Sequence, residues 1–184
     1  EPLGYRSDPY LDQRGVPTIG WGLALVEPVT NPKTGEIEFQ ELKPVEKLFK
    51  DLDKALSANG GPGLVDPRDP KGKKKLTYKD AIEIAFENGR RETTNPAYQI
   101  RGITQEVADA WFDTTFDRIV GELRTNLTAV GIAFDQLSTN VQIALQDLAY
   151  NMGPGFVFKF PAMIGHIKSG DMVCAGFELM NSDY

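Results

Sequence analysis

Tyr10-Leu11-Asp12-Gln13-Arg14-Gly15-Val16-Pro17-Thr18-Ile19-Gly20-Trp21-Gly22 is the stretch on which the reading of this 184-residue chain turns. Gly15 breaks one short extended segment, and Thr18-Ile19-Gly20-Trp21-Gly22 reads as another. The same texture continues downstream, where Asn31-Pro32-Lys33-Thr34-Gly35 is a turn cluster before Glu36-Ile37-Glu38-Phe39. Residues 1–43 are therefore expected to form a small, Gly-rich β-lobe.

Beyond it the period changes. Pro44 suits the start of a helix, and Val45, Leu48, Phe49, Leu52 and Leu56 recur at helical spacing until Asn59-Gly60-Gly61-Pro62. Residues 61–75, rich in Pro and Gly and holding Lys73-Lys74-Lys75, read as an exposed loop whose lysines form a solvated face. Thr77 and Asp80 have capping-box spacing ahead of Ile82, Ala85 and Phe86, and Asn88-Gly89 closes that helix. Residues 44–102 are thus a connecting helix followed by an insertion.

Residues 103–184 are expected to be a helical lobe. Thr104 caps a helix with Val107, Trp111, Phe112, Phe116, Ile119, Val120 and Leu123 on a wide apolar face. From Ser138-Thr139, Val141, Ala144, Leu145, Leu148, Ala149 and Met152 follow the helical period to Gly153-Pro154-Gly155. Pro161 opens a short helix ended by Ser169-Gly170, and Asp171 caps a last one. A small β-lobe followed by clustered helices makes one α+β domain of two lobes, with a ligand cleft expected between them.

Composition narrows the function. With 20 Lys and Arg against 26 Asp and Glu the formal net charge is -6, which argues against a nucleic-acid partner and against electrostatic attraction to an anionic cell wall. No apolar run approaches the roughly 18–20 residues that a membrane span needs, so no membrane insertion is expected. One Cys and one His exclude an internal disulfide and a usual structural zinc site, and no loop has the calcium-binding pattern. No metal or cofactor is expected. His166, beside apolar residues and without a Ser or Cys nucleophile pattern, reads as structural, and Trp21, Trp111 and the phenylalanines read as core.

What remains is the carboxylate pair Glu1 and Asp12, followed by Thr18. Glycosidases work with two carboxyl groups, one holding a proton for the leaving oxygen and one ionised to attack or to activate water. In a chain with 26 acids, spacing alone is weak support for this pair.

Glu1 together with Asp12 through Gly22 resembles the active-site signature of phage-type lysozymes, glycoside hydrolase family 24, which reads as a Glu, an Asp and then Thr-Ile-Gly-aromatic-Gly. Ile103 through Phe112 is similar to the helix that opens the family's helical lobe. Ala144 through Gly153 is similar to its central helix, and Phe160 through Ile164 with Ser169-Gly170-Asp171 falls in the family's order. The resemblance implies a lysozyme-like fold and hydrolysis of the β-1,4 bond between N-acetylmuramic acid and N-acetylglucosamine in peptidoglycan glycan strands. It makes Glu1 the general acid, Asp12 the water-activating carboxylate and Thr18 a hydroxyl that helps hold that water. Tyr150 and Asn151 match sugar-binding positions, no cofactor is implied, and inversion at the anomeric carbon follows.

The interval from Glu1 to Asp12 is about two residues longer than usual, so the chain between them must bulge. A lytic transglycosylase on the same fold, or an inactive wall-binding or structural module, are the alternatives. Both ends suggest a piece of a longer polypeptide, acting at the bacterial wall after phage lysis or secretion. If it is a secreted effector, an immunity protein that occludes the cleft is its expected partner.

Overall fold

The structure is a computed structural model and describes residues 4–58, 60–90 and 92–182. It is a mixed α+β protein with a small strand component and a larger helical part. Contact density divides it into two compact units, Glu1–Phe112 and Asp113–Tyr184. None of the described helices is long and apolar enough to cross a membrane.

In the first unit, β1 (Arg6–Leu11), β2 (Pro17–Gly20) and β3 (Leu23–Ala24) form an antiparallel sheet in that order. β4 (Val26–Thr30) and β5 (Ile37–Glu41) form a separate hairpin with Val26 opposite Glu41. The first strand begins at Arg6, four residues before the extended reading starts. Arg6-Ser7-Asp8-Pro9 lacks the apolar alternation of a strand, and its charges are instead satisfied inside the protein.

The α1 helix (Lys43–Ala58) buries Val45 and Phe49. The Phe49 ring lies 5.8 Å from that of Tyr78 and 5.0 Å from that of Trp111, so one aromatic joins three segments of the core. Phe49→Ala would cost about 3–5 kcal/mol. In α2 (Tyr78–Asn88) the expected capping box is complete, because Asp80 N donates to Thr77 Oγ1 at 3.2 Å and Thr77 N to Asp80 Oδ2 at 2.8 Å.

The 61–75 loop departs from the exposed reading. Leu64 and Asp66 are fully buried, Leu76 joins the core, and Leu76 N donates to Leu64 O at 3.0 Å. Two of its solvent-facing lysines are paired, Lys74 with Asp66 and Asp80 and Lys75 with Asp53. Ala81, Ile84 and Ile100 complete the core beside Ile19 and Leu25, so the insertion supplies part of the packing that supports the sheet.

The α3 helix (Gln105–Ala129) starts where Thr104 Oγ1 accepts from Val107 N at 3.4 Å and runs through the division between the units. The second unit continues with α4 (Thr139–Met152), α5 (Phe156–Lys159), α6 (Pro161–Ser169) and α7 (Met172–Met180). Leu123, Leu127, Leu145, Ala149, Phe156 and Val157 are nearly or wholly buried at its centre. The Ser138 hydroxyl makes no cap bond at the start of α4, whereas Asp171 Oδ1 accepts from Cys174 N at 3.0 Å at the start of α7.

Candidate active site

Asp12 and Thr18 lie on the two arms of the β1–β2 hairpin. Gly15 N donates to Asp12 O at 3.0 Å and Asp12 N to Val16 O at 3.0 Å, with Gly15 at φ +78°, which closes the turn as a three-residue loop ending in a left-handed glycine. Asp12 Oδ1 accepts from Arg14 N and from Val16 N, both at 2.8 Å. The turn therefore grips the carboxylate through one oxygen and fixes the direction of the other. Thr18, buried on β2, donates its hydroxyl hydrogen to Val16 O at 2.9 Å. Val16 thus ties both side chains to one residue.

The expected bulge lies between Arg6 and Tyr10. Arg6 opposes Gly20 and Tyr10 opposes Thr18, so four steps along β1 match two along β2. Its cause is chemical. Pro9 has no N–H to give to a ladder, and Asp8 turns inward to form a buried network with Arg6. Arg6 Nη2 and Nε donate to Asp8 Oδ2 at 2.6 Å and Oδ1 at 3.2 Å. Asp8 Oδ2 also accepts from Asn88 Nδ2 and Asn95 N, each at 3.0 Å, and Asn88 Nδ2 reaches Pro9 O at 2.8 Å. The Arg6 guanidinium stands 3.9 Å over the Tyr10 ring. The Tyr10 hydroxyl is buried without a hydrogen-bond partner among the described residues, and burial raises its pKa.

This network connects the insertion to the strand that leads into Asp12. The pairing of Asp8 with Asn88 and Asn95 carried no signal in the sequence, because those bonds join positions 80 and 87 residues apart.

Gly20 sets the other flank. With φ +68°, it would place a Cβ 3.3 Å from Ala108 Cβ, so the strand approaches α3 this closely only because the residue is glycine. The next residue, Trp21, corrects the core reading. Its ring is only partly buried, its indole N–H donates to Asp109 Oδ1 at 2.6 Å, and its ring centroid lies 5.9 Å from that of Tyr5. Tyr5 donates its hydroxyl to Ile103 O, and burial raises its pKa. A tilted aromatic pair beside a carboxylate is a surface on which a sugar ring can pack. Trp111 is core as expected, whereas Phe39, Phe86, Phe158 and Phe177 are exposed.

Tyr150 and Asn151 belong to the second unit. The half-buried Tyr150 packs against that unit's core with its ring 6.2 Å from Phe116, and Asn151 Nδ2 donates to Asp147 O at 2.9 Å. Glu1 lies outside the described residues. His166, read as structural, is half-exposed, and the Cys174 sulfur lies within 4.8 Å of one of its ring nitrogens; the turn between α6 and α7 folds positions eight apart onto one another.

No family model matches the chain, and no curated protein matches it.

Proposed function

We propose that this protein is a peptidoglycan hydrolase of lysozyme-like fold, a muramidase that cleaves the β-1,4 bond between N-acetylmuramic acid and N-acetylglucosamine. The observation that carries the reading is the joint anchoring of Asp12 and Thr18 to Val16. The bulge in β1 supports it, because it takes up extra chain in the interval where the sequence exceeds the lysozyme signature.

The chemistry follows from donors and acceptors. Thr18 has committed its only hydroxyl hydrogen to Val16 O, so toward a water its oxygen accepts. An ionised Asp12 accepts as well. A water donating one hydrogen to each directs its lone pair away from both, which is the arrangement for attack on an anomeric carbon assisted by a general base. Glu1 is assigned the proton for the departing glycosidic oxygen, and the product is the inverted sugar. Tyr5 and Trp21 offer ring faces for the glycan, and the resemblance to the lysozyme family assigns sugar contacts to Tyr150 and Asn151. The partner is the glycan strand, the site of action is the bacterial wall, and delivery is by phage lysis or secretion.

Digestion of purified peptidoglycan in ¹⁸O-water, followed by mass spectrometry, tests the reaction class. A hydrolase leaves a reducing N-acetylmuramic acid that carries one solvent oxygen. A dominant anhydro product identifies a lytic transglycosylase and overturns the hydrolytic role of Asp12, and the absence of any new chain ends identifies a non-catalytic wall-binding module.

A further inference from the structure

The chain's only histidine and only cysteine meet at one end of the second unit. His166 lies in the last turn of α6, Cys174 in the first turn of α7, and Asp171 stands between them. A ring nitrogen of His166, a carboxylate oxygen of Asp171 and the Cys174 sulfur all lie within 4.8 Å of one another. His166 Nδ1 and Asp171 Oδ2 are 3.9 Å apart. Four donors at ordinary zinc bond lengths sit about 3.3–3.8 Å from each other, so small side-chain rotations bring these three to bonding distance.

The backbone that carries them is fixed. Asp171 N donates to His166 O at 2.9 Å and Gly170 N to Ile167 O at 3.1 Å, the paired bonds of a Schellman turn, with Gly170 in the left-handed region at φ +79°. Asp171 then caps α7 through Oδ1 and Cys174 N. One residue thereby closes the first helix and opens the second. Ile167 and Ala175, buried in the core of the unit, hold the two helices on which the outer donors ride. None of the three side chains is buried, so an ion can enter and solvent can complete its coordination. Glu178, one turn along α7, adds negative charge near the sulfur.

We propose that His166, Asp171 and Cys174 form a binding site for one borderline divalent transition-metal ion of the zinc class, with solvent in the fourth position. The donor set selects the metal. A thiolate and an imidazole beside a single carboxylate suit zinc, cobalt or nickel and are unsuited to magnesium or calcium, which require oxygen donors. On binding, the Cys174 S–H bond breaks as the metal–sulfur bond forms, and the proton passes to solvent. No electrons are transferred. The three donors belong to the second unit and Asp12 and Thr18 to the first, and occupation of the site is independent of the glycosidase reading.

The test uses the whole chain, freed of metal by a chelator and then given Zn²⁺ alone in competition with a chromophoric chelator, or Co²⁺ alone for spectroscopy. One equivalent of Zn²⁺ should bind, and the Co²⁺ form should show a near-ultraviolet thiolate-to-cobalt charge-transfer band. Cys174→Ser and His166→Gln should each weaken Zn²⁺ by more than the roughly 10–100-fold that loss of an outer partner costs. Asp171→Asn, which keeps a helix cap, should also weaken it. Binding that is no tighter in the wild type than in Cys174→Ser, or a cobalt spectrum without the thiolate band, would overturn the site. Half an equivalent with the band present would mean an ion shared by two chains and would overturn a single-chain site. The wild-type spectrum decides the matter even if a variant fails to fold.

Discussion

Asp8 and Asp66 are both fully buried carboxylates, each two residues from an arginine, yet they hold different things together. Asp8 draws its partners from three separated places, Arg6 on β1, Asn88 at the end of α2 and the backbone of Asn95. Asp66 accepts from Arg68 and Lys74, both within its own loop. Arg68 then spreads to Asp80, Glu83 and Glu87 on α2. Arg6, Asp8 and Asn88 in the first network are buried, whereas the second holds several acids and is open on one side. Removing Asp8 takes from the buried Arg6 guanidinium the carboxylate that it meets edge-on, whereas removing Asp66 leaves Arg68 beside Asp80, Glu83 and Glu87. The difference lies in how replaceable each partner is, and it places the structural weight of the insertion on the strand that leads to Asp12.

The comparison breaks most sharply at Asp8→Ala. Loss of one member of a buried pair costs about 3–5 kcal/mol, and we expect chemical denaturation to show a fall of that size. An effect below about 1 kcal/mol would mean that Arg6 finds another anion or water. Asp66→Asn should cost less, roughly 1–3 kcal/mol, and should change the pH profile. The Arg68 bonds, aided by Lys74 and opposed by burial, hold the Asp66 carboxyl well below the usual carboxylate range. A depressed folded-state pKa stabilises fully above the unfolded value of about 3.9 and is lost as pH falls through the folded value. Wild-type stability should therefore decline on acidification below about pH 4, and Asp66→Asn should flatten that decline. Unchanged slopes in urea titrations at successive pH values would contradict the assignment. Smallest are Glu83→Gln and Glu87→Gln. These acids are 64% and 45% exposed, and each should cost no more than about 1 kcal/mol.

Features that depend on near neighbours were legible in the sequence. The Thr77–Asp80 capping box, the Thr104 and Asp171 caps and the Pro161 start each need residues only a few positions apart, and each forms as expected. Arg6-Ser7-Asp8-Pro9 was not legible as a strand, because its polarity makes sense only once Asn88 and Asn95 arrive from the insertion. Leu64 lies in a stretch whose Pro, Gly and Lys content signals a loop, and composition hides a buried anchor among exposed neighbours.

The candidate site divides the same way. Asp12 and Thr18 share one tight hairpin, so their spacing in the sequence survives as proximity through Val16. Trp21 looked like core because tryptophan usually is. Its flanking glycines, at φ +68° and +93°, instead deliver it to a half-exposed position against Asp109. The proximity of His166 and Cys174 has no signal in the sequence, because the Schellman turn at Gly170 brings them together.

The proposed hydrolytic roles of Glu1 and Asp12 are tested by the turbidity of a purified peptidoglycan suspension treated with wild type, Glu1→Gln and Asp12→Asn at matched concentration. We expect clearing by the wild type and a rate lower by roughly 10²–10⁴-fold in each variant, with far-ultraviolet circular dichroism unchanged. Equal traces for all three proteins would contradict those roles.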